Sequence, residues 1–358
     1  MQFHRIGIIV LLVCASIAAG CSSAGPGPHA PIILRGAGST FDTPFFSKAF
    51  ARYTQTSGVR VDYASVGSSA GVHEFTNGGV DFGATDIPMT PSELAAYPGG
   101  AAGVLQLPIA LGGVVIAYNV PGLSDAYIPH HIHLRLTPDV LGKIFSRTIT
   151  SWSDSAIAAS NPGAKLPSLP IDVINQADSA GTSSVFLDYL NDSSPSWSAY
   201  TRRRSMTGWG APSTLGMIHK IDVAAKILNS RGSIGYVEMA TVIGTKANYA
   251  AIRNRAGNFV LPSMLTVRAA AAQQPTVSPT DSYIDDLGGP NSYPIAGYSW
   301  LLIRRSDSDA TRGAAVCAFT RWMLTDGQKV APSIGYVPLP ENLANRALAA
   351  LGSCTGGS

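Results

Sequence analysis

Three hydroxyl residues, Thr40, Ser68 and Thr182, share one kind of position. Each sits where a strand-like segment passes through a glycine-containing turn into a helix-like one. Such a position offers unpaired backbone N–H groups, a hydroxyl donor and the positive end of a helix dipole, a combination that suits an anion. Each alone has an ordinary alternative, because Ser and Thr are among the commonest helix N-caps and need no ligand. Asp86, in Phe82-Gly-Ala-Thr-Asp-Ile-Pro88, is the carboxylate that sharpens the choice. Beside an anion a carboxylate is repulsive unless the anion still carries a proton to donate. Hydrogen phosphate carries one at neutral pH and sulfate does not. Asp86 would accept an O–H···O⁻ bond from the first and reject the second. The other reading of Asp86 is a turn cap, or the partner of a distant arginine.

Four further patterns carry chemistry less well. Gly67-Ser-Ser69-Ala-Gly71 matches the G-x-S-x-G nucleophile elbow, with Ser69 as nucleophile. That fold needs an acid and then a histidine late in the chain. After Ser69 the histidines are His73, His130, His131, His133 and His219, and the last 139 residues (358 minus 219) hold none. A serine hydrolase is therefore the poorer reading. Gly36-Ala-Gly-Ser-Thr-Phe41 opens like a dinucleotide fingerprint but has Phe41 where the third glycine belongs. His130-His131-Ile-His133 has no obvious further metal ligands nearby and reads as a solvated loop. Arg202-Arg203-Arg204 is the one basic run, and with a formal net charge of +3 it does not indicate a nucleic-acid partner.

The elements that must position these residues alternate between strand and helix. Ile32-Ile-Leu34 is a short strand leading to the first glycine turn. Phe46, Ala49, Phe50 and Tyr53 then recur at helical spacing, with Pro44 near the helix start and Gly58 closing it. Val59–Tyr63 and Val80–Ala84 read as strands flanking a helix that ends at Asn77-Gly78-Gly79. The apolar run from Leu105 to Ala117 reads as one or two buried strands. The middle of the chain repeats the pattern, with Thr137-Pro138 opening a helix and Pro170–Asn175 a strand. Tyr298–Ile303 is a late buried strand and Ala314–Leu324 a late helix. This order predicts an α/β architecture with largely parallel sheets. With 358 residues, 46% hydrophobic and 13% charged, the composition is globular and the length suits two domains.

The N-terminus is targeting grammar. His4 and Arg5 precede the apolar run Ile6–Ala15, which is too short for a transmembrane helix of ~20 residues. Ala18-Ala19-Gly20-Cys21 resembles a bacterial lipoprotein box, in which Cys21 becomes the lipidated first residue. Ala18 stands where Leu is commoner, and the alternative is an ordinary cleavable signal that contains a Cys. Residues 1–20 are thus read as a signal peptide and 21–30 as a lipid-anchored tether. Cys317 and Cys354 remain. In an oxidising compartment they could pair, and the sequence does not say whether they approach closely enough.

At its loops the chain resembles the phosphate-binding proteins of bacterial phosphate ABC transporters. The markers are Gly36-Ala-Gly-Ser-Thr-Phe41, Gly67-Ser-Ser-Ala-Gly71, Asp81-Phe-Gly-Ala-Thr-Asp86, Ala177-Asp-Ser-Ala-Gly-Thr-Ser183, Gly232-Ser-Ile-Gly-Tyr-Val-Glu238 and Gly335-Tyr-Val-Pro-Leu-Pro340. The resemblance implies a two-domain, periplasmic-binding-protein-like (type II) α/β fold with two hinge strands and a ligand cleft between domains. Residues 31–110 with 295–358 would form the first domain and 111–294 the second. It implies binding of inorganic phosphate through Thr40, Phe41, Ser68 and Asp86 from the first domain. From the second domain the ligand positions are Gln176, Ala180, Gly181 and Thr182. It further implies no cofactor, no catalysis, an exported and lipid-anchored monomer, and the permease and ATPase subunits of an ABC importer as partners. Another oxyanion, or a lipoprotein without a transport role, is the alternative. Two positions depart from the family pattern: Gln176 stands where an arginine is usual, and Ala180 where a serine is usual. The bidentate, charged grip of a guanidinium is thereby lost from that position.

Overall fold

The computed structural model describes residues 32–123, 133–176, 181–204, 215–217, 220–242, 247–274 and 284–356. The targeting segment, Cys21, His130, His131, Asp178, Ala180 and His219 lie outside these residues.

The strands are β1 (Ile33–Gly38), β2 (Arg60–Ser65), β3 (Phe82–Thr85), β4 (Val104–Asn119), β5 (Arg135–Leu136), β6 (Asp172–Gln176), β7 (Leu215–Met217), β8 (Ser233–Glu238), β9 (Asn248–Tyr249), β10 (Ala251–Arg253), β11 (Phe259–Val260), β12 (Ala296–Arg304), β13 (Ser306–Asp307) and β14 (Thr355–Gly356). The helices are α1 (Thr43–Ser57), α2 (Ser68–Thr76), α3 (Pro91–Ala96), α4 (Pro138–Phe145), α5 (Ser155–Ser160), α6 (Gly181–Ser193), α7 (Pro195–Arg204), α8 (Lys220–Asn229), α9 (Met239–Val242), α10 (Met264–Ala271), α11 (Ala310–Leu324) and α12 (Glu341–Leu351).

Among the described residues, one curled sheet runs in the order β2-β1-β3-β12-β4-β8-β6-β7, with β9 beside β4. Its flanks are parallel: β1 pairs with β2 and β3, and β6 with β7 and β8. Its centre is not. β12 runs antiparallel to both β3 and β4, and β4 antiparallel to β8. The expectation of largely parallel sheets therefore holds only for the flanks. β12 comes from the far end of the chain and enters between β3 and β4, a pairing that no local alternation of strand and helix reveals.

β4 joins the two halves of the sheet. Its first part pairs with β12 as far as Gly113, and from Val114 it pairs with β8. It is one strand of 16 residues, buried throughout except at Asn119, so its sequence reads as a continuous apolar run. Glycines mark the changeover because side chains press on the backbone there. A Cβ on Gly112 would lie 2.4 Å from Cζ of Phe41, and one on Gly113 would lie 2.9 Å from a methyl of Val267.

The helices follow their signals. α1 buries Phe45, Phe46, Ala49, Phe50 and Tyr53 and stops at Gly58, whose φ of 74° is left-handed and whose N–H bonds back to Thr54. Thr137 caps α4 by accepting from the Val140 N–H. Cys317 and Cys354 form a disulfide with Cα atoms 6.1 Å apart, tying α11 to the segment after α12. In the chain-entropy account, closing a loop of this length contributes roughly 4 kcal/mol.

A candidate anion-binding site

The site begins where two parallel neighbours end side by side. Gly38 of β1 is in register with Ala84 of β3, so Ser39, one residue on, and Asp86, two residues on, emerge at the same edge. The Ser39 N–H bonds to the Ala84 carbonyl at 2.9 Å. Helix α2 starts on top of this edge. Gly67, at φ 95°, donates its N–H to Gly38 O at 2.9 Å. A Cβ on Gly71 would lie 2.3 Å from the Gly38 Cα, so the glycine is what lets α2 sit down on β1.

This packing gathers hydroxyls around Asp86. Ser39 Oγ donates to both carboxylate oxygens, at 2.8 Å to Oδ1 and 2.7 Å to Oδ2. Ser68 Oγ donates to Oδ2 at 2.9 Å, and Ser299 Oγ on β12 donates to Oδ1 at 2.5 Å. The Asp86 N–H returns to Ser68 Oγ at 3.1 Å. All four residues are buried.

The second half of the sheet meets this cluster through α6. A Cβ on Gly181 would lie 1.6 Å from Asp86 Oδ2, so the first residue of α6 presses its backbone directly against the carboxylate. Thr182 follows, 1% exposed, and its hydroxyl has no hydrogen-bond partner among the described residues. At the end of β6, Gln176 is buried and its N–H donates to Tyr236 Oη at 3.2 Å. That phenol lies 2.7 Å from Ser183 Oγ. Asn175 Oδ1 is likewise buried without a partner.

Two phenols lean on the first loop. Tyr63 donates to Ser39 O at 2.9 Å, and Tyr336 donates to Phe41 O with Glu238 Oε2 3.3 Å from the same phenol. Burial raises both tyrosines well above the usual range. Asp42 and Asp86 add to this at Tyr63, and Glu238, Asp42 and Asp86 add to it at Tyr336. Both stay protonated and act as donors.

Of the residues expected from sequence, Ser68, Asp86 and Gly181 come together in direct contact, with Thr182 beside them. Thr40 lies in the turn before α1, where its carbonyl accepts from Thr43 N–H and Oγ1. Phe41 sends its ring into the core, and its N–H donates to Ser39 Oγ at 3.0 Å. Ala180 lies outside the described residues. Sequence reasoning missed Ser39, Ser299, Ser183, Tyr236, Glu238 and Tyr336. Ser39 was one residue from Thr40 in a turn already singled out. Ser299, 213 positions from Asp86, carried no local signal.

The competing motifs find little support. Ser69 is exposed on α2 and has no histidine partner among the described residues. His73 contacts Asn77, and His133 stacks on Tyr249. Among the described residues no group of three or more His, Cys, Asp or Glu could hold a metal ion, and no helix is long and apolar enough to cross a membrane. A cavity of about 760 Å³ lies elsewhere, lined by Arg304, Arg312, Asp81 and Asp307 among others. Two of its arginines are already paired with acids of the same lining, Arg312 with Asp81 and Arg304 with Asp307. On its chemistry, the cluster at Asp86 is the candidate site.

Strand ends thus deliver hydroxyls and a helix N-terminus to one buried carboxylate, on a curled sheet joined through β4. The family model for a PBP superfamily domain matches residues 25–327, and the chain belongs to that superfamily. Within it, the chain belongs to the family of phosphate-binding proteins PstS. It is 34% identical over 315 residues to the PstS of Xylella fastidiosa strain 9a5c, covering 87% of this chain and 83% of the relative. It is 31% identical over 367 residues to the PstS of X. fastidiosa strain Temecula1, covering 97% of each. The crystal structure of a phosphate-binding protein from Stenotrophomonas maltophilia matches with a TM-score of 0.67 at 18% identity, over 91% of this chain and 99% of that one. The fold is the type II periplasmic-binding-protein-like fold.

Proposed function

We propose that this chain captures inorganic phosphate outside the cytoplasmic membrane and delivers it to an ABC importer. The observation that carries the reading is the buried Asp86, which takes hydroxyl donors from three elements and has the first residue of α6 against it. An acceptor-only group at the N-terminus of a helix fits an anion that brings its own proton.

Hydrogen phosphate would be held by Thr40, Phe41 and Ser68 on one side and by Gln176, Ala180, Gly181 and Thr182 on the other. Its O–H would be directed at Asp86. The Thr182 hydroxyl, buried without a protein partner, would find one on the ligand. Residues 31–110 with 295–358 and residues 111–294 would move as two domains, with β4 and β12 as the hinge strands. The chain would work as a monomer anchored through acylated Cys21. It would dock with permease and ATPase subunits, without a cofactor, nucleic acid or catalysis of its own. Gln176 in place of an arginine favours weaker phosphate binding than a guanidinium would give, or a related oxyanion in the same place.

Titration calorimetry on refolded, ligand-free protein tests this. Phosphate and arsenate should bind and compete with each other, and sulfate should not. The absence of both heat and thermal shift with millimolar phosphate would overturn the assignment.

A further inference from the structure

Asp86 is surrounded by hydroxyls whose hydrogen-bond roles are already decided. Ser39 Oγ accepts the Phe41 N–H at 3.0 Å and the Asp42 N–H at 3.4 Å, so its proton is left to point at Asp86. Ser68 Oγ accepts the Asp86 N–H at 3.1 Å, which aims its proton at Oδ2. Ser299 Oγ approaches Oδ1 from β12. A hydroxyl carries a single proton. With these acceptor lone pairs engaged, Ser39 and Ser68 act as donors to the carboxyl group and leave it to act as an acceptor.

We infer that Ser39 and Ser299 are positioning residues that set the specificity of the site. They hold Asp86 ionised and aimed, so that an oxyanion enters only by donating its own proton. The inference rests on the phosphate reading above and deepens it.

The surroundings make such a device necessary. Among the described residues, the buried carboxyls of Asp42 and Glu238 and the phenols of Tyr63 and Tyr336 belong to the same surroundings, with Asp42 and Asp86 both acting on the two phenols. Burial by itself disfavours the charged form of a carboxyl group. The hydroxyl donors and the N-terminus of α6 push the other way. If the hydroxyls were lost, Asp86 would take up a proton at higher pH than before and become a donor. A site with a donor at that position accepts sulfate, so selectivity fails in the acidic range first. Ser299 also ties this control to β12, the strand inserted between β3 and β4.

The experiment compares wild type with S39A, S299A and the S39A/S299A double variant. In the ligand-free proteins, the ¹³Cγ resonance of Asp86, assigned by its disappearance in D86N, is followed from pH 5 to 8. We expect it to stay in the ionised position in wild type and to titrate in the double variant. In parallel, sulfate and phosphate affinities are measured at pH 5.5 and pH 8. In the double variant the preference for phosphate should fall at least about tenfold at pH 5.5, and much less at pH 8, on the scale of one charge-assisted hydrogen bond. The single variants should fall between, and they decide the matter if the double variant does not fold. An Asp86 that titrates alike in wild type and variant, or a preference that drops equally at both pH values, would overturn the inference. The resonance needs no ligand, so a wild type that binds no phosphate would refute the transport reading while this arm still decides the role of the hydroxyls.

Discussion

The two halves of the site are finished to different degrees. On the β1–β3 side, Asp86 and three serine hydroxyls satisfy one another, and the loop is braced by Tyr63 and Tyr336. On the α6 side, Thr182 Oγ1 and Asn175 Oδ1 are buried and have no hydrogen-bond partner among the described residues. A buried polar atom left unpaired costs about 1–3 kcal/mol. The first half is therefore organised by its own carboxylate and belongs to the stable scaffold. The second carries groups whose satisfaction depends on what binds. Under the proposed function, the first half would supply preorganisation and the second would spend hydrogen-bonding capacity on the ligand.

The contrast can be broken most completely at the contact between the halves. Gly181→Ala puts a methyl 1.6 Å from Asp86 Oδ2 in the present conformation, so α6 cannot approach the carboxylate. Calorimetry should show phosphate affinity falling by about two orders of magnitude or more, the loss expected when several hydrogen bonds of one half go together. Gln176→Arg should move affinity the other way. A guanidinium restores a charge-assisted bond worth roughly 1.5–3 kcal/mol, or one to two decades of tighter binding in the same titration.

A matched pair of hydroxyl deletions sharpens the comparison. Ser68→Ala removes a donor to Asp86 and the acceptor of its N–H. It should cost about 1–3 kcal/mol of stability in urea unfolding of the ligand-free protein. Thr182→Val removes a hydroxyl with no protein partner. It should leave ligand-free stability within about 1 kcal/mol, or raise it, while weakening phosphate binding roughly tenfold. If the two variants behave alike, the halves do not differ in the way described.

A further effect, confined to stability and pH, lies farther along α6. Asp188 is raised to about 6 by burial and then by Asp192, and Asp285 is raised well above the carboxylate range by burial and then by Asp188 and Asp192. A carboxyl whose folded pKa is raised contributes stability that is complete below its unfolded pKa, near 3.8, and lost as pH rises through about 6. Asp188→Asn should accordingly stabilise the fold by about 1–2 kcal/mol at pH 7.5 and by nothing at pH 3.5. Denaturant titrations at the two pH values check the sign.

Legibility from sequence followed locality. The glycine that ends α1, the Thr137 cap and the apolar run of β4 are written within a few residues of where they act, because backbone sterics and burial operate over that range. The turns bearing Thr40, Ser68 and Thr182 were visible for the same reason. Asp86 stands out in the sequence because a carboxylate beside anion-friendly turns is repulsive unless the anion carries a proton. The partners themselves were not visible. Ser299 reaches Asp86 only because β12 inserts antiparallel between β3 and β4.

The sequence by itself determined which segments coil, extend and turn, and which hydroxyls stand at helix starts, since those follow from spacing, glycine and caps along a single stretch of chain. Tertiary structure alone decided that the centre of the sheet is antiparallel and that Cys317 meets Cys354. It also decided that Asp86 is clasped by serines from three elements under the first residue of α6. These facts depend on which distant segments share space. That is settled by burying the whole apolar set at once, and no local stretch of sequence encodes it.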